Sequence, residues 1–106
     1  MRAWTMLVLL FSLNALSQTT EVVQRTYRCA GGVQIRAVYQ NQFDRVGVVF
    51  NNQTYGPLFQ VVAASGVKYS DGRASWWIKG AGRAEEAFLM SERTGQMLAQ
   101  GCRPVR

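Results

Sequence analysis

Residues 33–40 read Val33-Gln34-Ile35-Arg36-Ala37-Val38-Tyr39-Gln40. Val33, Ile35, Ala37 and Tyr39 alternate with Gln34, Arg36, Val38 and Gln40, the period of two that belongs to a strand with one buried face. Helical spacing fits this stretch poorly. Working outward, similar short segments occupy Val23 to Cys29, Arg45 to Phe50, Thr54 to Ala63, Gly66 to Ser70, Ala74 to Lys79, Glu86 to Ser91 and Gln96 to Cys102. Between them lie turn formers: Gly31 and Gly32, Asn41 to Asp44, Asn51 and Asn52, Asp71 and Gly72, Gly80 to Gly82, and Thr94 with Gly95. Asp71-Gly72 is the strongest hairpin signal. Eight short strands at regular spacing argue a closed barrel or a sandwich, and an all-β, eight-stranded antiparallel barrel is favoured because closure hides the edges that a small sheet would otherwise expose.

Composition narrows the function classes. The chain has 106 residues, 48% of them hydrophobic, which is one domain's worth of sequence with no low-complexity tract or linker. It contains no His, which removes the usual general base, the His-dependent nucleophile triads and the commonest metal ligand. The carboxylates are Glu21, Asp44, Asp71, Glu85, Glu86 and Glu92. None forms an evident catalytic pair: Glu85 and Glu86 are adjacent and would point to opposite faces of a strand, and Asp71 is accounted for by its turn. Solvated surface is the expected place for these acids. No Gly-Lys-Ser/Thr phosphate loop is present, and no cofactor or metal site is expected. Asn52-Gln53-Thr54 matches a glycan acceptor pattern, too common by chance to carry weight.

The amino end has the features of a secretory signal peptide: Arg2, an apolar run from Met6 to Phe11, and a small-x-small pattern at Ala15, Leu16 and Ser17. Residues 1–17 are read as the signal and 18–106 as the domain, with cleavage after Ser17; an uncleaved anchor is the alternative. The apolar run is broken by Ser12 and Asn14 and is too short for a membrane span. No Cys lies near the cleavage site to accept a lipid, so a soluble periplasmic product is expected. In an oxidising compartment Cys29 and Cys102, the two cysteines of the chain, are expected to pair and tie the first strand to the last, two inert buried thiols being the alternative. Closing so long a loop would restrict the unfolded chain by about 4 kcal/mol.

Twelve basic residues against six acidic ones set the formal net charge at +6, with ten Arg and two Lys. The Arg residues are scattered and form no block, so a soluble surface accounts for them better than a nucleic-acid groove. A module that binds anionic envelope polymers through surface Arg residues is the alternative. The densest region runs from Ala64 to Ala87 and contains Ser65, Gly66, Lys68, Tyr69, Trp76, Trp77, Lys79 and Gly80. Alternation places Trp77 and Lys79 on one face of the sixth strand and Trp76 and Ile78 on the other, so one Trp belongs to the core and the other borders a surface. Taken by itself, Lys79 beside Gly80 is an ordinary strand-end ammonium.

Ser65-Gly66-Val67-Lys68-Tyr69, followed by Trp76-Trp77-Ile78-Lys79-Gly80 and Ala87, resembles the bacterial inhibitors of c-type lysozyme, a family with periplasmic and membrane-bound members. Tyr27-Arg28-Cys29 and Cys102 supply the similar ends, and Lys79 follows Ser65 at the family's spacing of fourteen residues. The resemblance implies an eight-stranded barrel, c-type lysozyme as the protein partner, and Ser65 and Lys79 entering the enzyme's cleft, with Gly66, Gly80 and Tyr69 around them. Tyr69 would buttress the first loop or pack inside the barrel. The chain departs from the family pattern at Ala74, where Tyr is common, at Ile78, which replaces a small hydroxyl residue, and across Gly80 to Glu86, which is lengthened. The oligomeric state stays open, a homodimer through an exposed Trp being one arrangement.

Overall fold

Asn51 and Asn52 both hold positive φ, 54° and 61°, and this two-residue turn folds the chain back on itself between two strands. Asp71 builds the next tight reversal: its Oδ1 accepts the backbone N–H groups of Arg73 at 2.8 Å and Ala74 at 2.9 Å, while Gly72 takes φ 86°. Tight turns of this kind, 3-10 segments and longer loops connect eight strands in a computed structural model that describes residues 21–105. The strands are β1 (Val22–Arg28), β2 (Gln34–Gln40), β3 (Arg45–Phe50), β4 (Gln53–Val61), β5 (Val67–Ser70), β6 (Ala74–Lys79), β7 (Glu86–Ser91) and β8 (Met97–Pro104). Each pairs antiparallel with its sequence neighbours, and β8 returns to β1, so the sheet is a closed barrel in the order β1 to β8. Among the described residues there is no α-helix, and no helix long and apolar enough to cross a membrane.

β6 and β7 fall where the alternation places them. Several other ends differ: β4 stops at Val61 rather than Ala63, β5 starts at Val67 rather than Gly66, and β8 runs on to Pro104. Val33 precedes β2 and is 37% exposed, whereas Ile35, Ala37 and Tyr39 are buried as the pattern requires. The signal-peptide boundary at Ser17 lies outside the described residues.

The inward row of every strand fills the barrel. Tyr27, Ile35, Ala37, Val46, Val48, Leu58, Ala87, Leu89 and Cys102 are sealed from solvent around Trp76, which is fully buried and meets the Tyr27 ring edge-on at 5.0 Å. The seam between β8 and β1 is the shortest pairing, with the register partners Tyr27 and Pro104, and Arg28 and Arg103. The Val105 N–H donates to the Thr26 carbonyl at 2.9 Å beside it. The disulfide joining Cys29 to Cys102 crosses this same seam, so the covalent link reinforces the place where the hydrogen-bond ladder is thinnest.

Candidate functional site

Because neighbouring strands are antiparallel, one end of the barrel gathers the start of β1, the β2–β3 turn, the β4–β5 loop at 62–66 and the β6–β7 loop at 80–85. Ser65 and Gly66 sit on the first of these two loops, and Lys79 and Gly80 at the threshold of the second. Val67 pairs with Ile78 in the β5–β6 ladder, so the residues just beyond this pair on the two strands are brought side by side. Gly66 makes the close approach possible. At its φ of 70°, a Cβ would stand 2.2 Å from the Ile78 carbonyl oxygen and 3.2 Å from Lys79 Cγ, an overlap that only glycine avoids. Gly80 does the same for the second loop: with φ 76°, a Cβ there would lie 2.3 Å from the Ala84 carbonyl oxygen.

Lys79 is exposed and follows Trp77 on the outer face of β6. Its ammonium lies 4.6 Å from the centroid of the Trp77 ring, and the same indole donates its Nε1–H to the Ser65 carbonyl at 2.7 Å. The structure therefore assigns the two tryptophans: Trp76 is core, and Trp77 is half-buried on the outside beneath the two loops. Lys68 approaches the Trp77 ring at 4.8 Å while its ammonium pairs with Glu92 Oε1 at 3.2 Å. Glu92 also accepts a hydrogen bond from the Ser75 hydroxyl, and that bond, followed by the Lys68 ammonium, holds its carboxyl below the ordinary range against the opposing effect of burial. Lys68 is thus committed to a partner within the barrel wall. Lys79 has no carboxylate partner among the described residues.

Tyr69 belongs to the interior. It is 8% exposed and packs against Tyr39 with ring centroids 6.0 Å apart. It lines a cavity of about 260 Å³ at this end of the barrel, together with Arg25, Tyr39, Asn41, Ile78 and Glu85. The expectation that Glu85 is solvated fails here, since it is 9% exposed. It continues the inward row of Ala87 and Leu89 by one step, which turns its carboxylate into the barrel mouth. There Glu85 accepts the Tyr27 hydroxyl at 3.0 Å, and Arg25 Nη1 lies 3.3 Å from both carboxylate oxygens. The Tyr27 and Tyr39 hydroxyls are 2.9 Å apart, and Trp76 Nε1–H donates to Tyr39 at 2.9 Å. Burial pushes the phenol groups of Tyr27, Tyr39 and Tyr69 above their ordinary value and keeps them neutral. Sequence reasoning missed this chain of polar groups; the signal that could have found it is the period of two, since Glu85 lies on the same row as the buried Ala87 and Leu89.

The Arg residues remain dispersed. Arg25 serves Glu85, Arg103 pairs with Glu86 at 3.1 Å, and Arg45 rests on the Phe43 ring at 4.6 Å. The constellation that stands apart is the paired loops with their Ser65 and Lys79, and residues 27–97, which contain both, match the family described as membrane-bound lysozyme inhibitors of c-type lysozyme. The chain belongs to that family. Relatives include the membrane-bound lysozyme inhibitor of C-type lysozyme from Yersinia enterocolitica serotype O:8 / biotype 1B, 36% identical over 77 residues that cover 73% of this chain and 59% of that protein. The protein of the same description from Cupriavidus necator is 32% identical over 74 residues, covering 69% of this chain and 59% of that protein. The aligned part of the chain thus spans 59% of the length of each of these relatives. Among solved structures, the Adhesin Complex Protein from Neisseria meningitidis shares the fold, with a TM-score of 0.62 over 79% of this chain and 100% of that one at 14% identity. The family is one of inhibitors rather than enzymes, in keeping with a chain that contains no histidine.

Proposed function

We propose that this chain inhibits a c-type lysozyme by lodging Lys79 and Ser65 in the enzyme's catalytic cleft. One observation carries the reading: two loops meet so closely at Gly66 that the exposed Ser65 stands beside an exposed Lys79 with no carboxylate partner among the described residues. Lysozyme cleaves glycan with a glutamic acid held protonated by an apolar site and a neighbouring ionised aspartate. An ammonium about 4 Å from either carboxylate gains roughly 4 kcal/mol at an effective dielectric near 20, part of which desolvation takes back. The same charge favours ionisation of the acid, and an ionised carboxyl cannot protonate the leaving oxygen. The Ser65 hydroxyl supplies a hydrogen-bond donor beside it, and the loops fill the space the glycan would take. Inhibition is then reversible and competitive, exerted in the periplasm once the amino-terminal signal has directed export. Tyr69 and the two glycines act from beneath, as supports of the two loops.

The test is lysis of bacterial walls by lysozyme, followed by turbidity, with and without the protein. Lys79→Ala should weaken inhibition by roughly 2 to 5 kcal/mol, and Ser65→Ala by about 1 kcal/mol. An unchanged inhibition constant for Lys79→Ala overturns the reading. Salt separates it from binding to anionic envelope polymers. C-type lysozymes are basic and this chain carries a formal +6, so the two repel at long range, and moderate salt leaves their association unchanged or faster, whereas salt weakens attachment to a polyanion.

A further inference from the structure

We propose that Trp77 is the positioning residue that holds the Ser65 loop against Lys79, a role that rests on the inhibitory reading above and adds the device that keeps its two contacts together. The loop at 62–66 lies between the end of β4 and the start of β5, and Val62 within it is fully exposed. No turn-type backbone hydrogen bond closes this segment among the described residues. The tether is the indole, whose Nε1–H reaches across twelve positions of sequence to the Ser65 carbonyl at 2.7 Å.

The ring is held by contacts on several sides. It is packed against Phe88 with centroids 5.6 Å apart, on a row that the ladder defines as Lys68, Trp77 and Phe88 across β5, β6 and β7. Its π system receives Lys79 at 4.6 Å and Lys68 at 4.8 Å, and Lys68 is anchored in turn by Glu92. One side chain therefore fixes the backbone of the first loop through its edge and gathers the cation of the second through its ring. A loop already ordered before contact loses less freedom on binding, and this is how a residue that need not touch the partner raises affinity.

Trp77→Phe is the selective variant, since a phenyl ring keeps an aromatic surface for Lys79 and Phe88 but has no N–H. In the free protein, backbone ¹⁵N relaxation should change from rigid to mobile at residues 64–66 and stay unchanged in β2. Trp77→Leu should in addition abolish the ring-current shift of the Lys79 side-chain methylenes. In the lysozyme assay, Trp77→Phe should weaken inhibition about tenfold, the loss expected for one net hydrogen bond with its ordering effect. Ser65→Ala should then cost almost nothing more in the Trp77→Phe background, whereas it costs several-fold alone. Unchanged relaxation of the loop, or strictly additive effects of the two substitutions, overturns the proposal. Should the unaltered protein fail to inhibit lysozyme at all, the inhibitory reading falls, and the relaxation experiment still decides whether the indole orders the loop.

Discussion

Trp76 and Trp77 are adjacent in the chain and chemically identical, yet β6 sends them into opposite environments. The inner indole is fully buried, stacked edge-on to Tyr27, and its N–H ends in a run of hydroxyls that leads through Tyr39 and Tyr27 to Glu85. The outer indole is half-buried, its N–H takes a backbone carbonyl, and two ammonium groups approach its ring. Inside, water is excluded and every polar atom must find a permanent partner; outside, solvent can replace any partner that leaves. The inner region is therefore built for stability, and the outer one for presenting groups that can still be given up to a partner.

The comparison is broken most forcefully by truncating each ring. Trp76→Ala should lower unfolding free energy by about 3 to 5 kcal/mol, because it empties the centre of the barrel and strips Tyr39 of a donor. Trp77→Ala, whose site water can refill, should cost no more than about 2 kcal/mol. Urea unfolding of both variants checks this, and equal losses would erase the distinction between the two faces.

A second test uses alkali. Tyr27, Tyr39 and Tyr69 are held neutral above their ordinary value of 10.0, chiefly by burial. In the unfolded chain these phenols ionise first, so the stability they confer is complete below about pH 10 and declines as pH rises toward their folded values. Thermal unfolding followed through this range should show a falling midpoint, with phenolate absorbance from these residues appearing together with unfolding. Smooth ionisation of all three in the folded barrel would contradict the sealed interior.

The smallest effect belongs to the outer face in acid. The carboxyl of Glu92 is held below its ordinary value of 4.5 by the Ser75 hydroxyl and then by Lys68, so the stability it confers is present above that value and is lost as pH falls through the lower folded one. Glu92→Gln should cost no more than about 1 kcal/mol at neutral pH and flatten the acid limb of the stability curve. A larger loss, measured by urea unfolding at several pH values, would mean that the outer cluster carries structural weight comparable to the inner one.

The barrel was legible because alternation is a local property: Ile35, Ala37 and Tyr39 announce their face without reference to any distant residue. The cysteines could be paired from compartment logic, and the two-loop pattern from Ser65 to Gly80 from its resemblance. Strand ends at Val61 and Pro104 were less legible, since they depend on how far a neighbouring strand continues to offer hydrogen-bond partners.

What the chain determined unaided is which side chains share a face, down to the separation of Trp76 from Trp77, because each successive residue of an extended backbone points the opposite way. Tertiary structure alone decided which partners the inward Glu85 would meet at the barrel mouth, Tyr27 and Arg25, some sixty positions earlier. It also decided that the Trp77 N–H would find Ser65 and that Lys68 would be claimed by Glu92. Those pairings depend on closing the sheet, which sets the distance between strands that no local pattern of residues encodes.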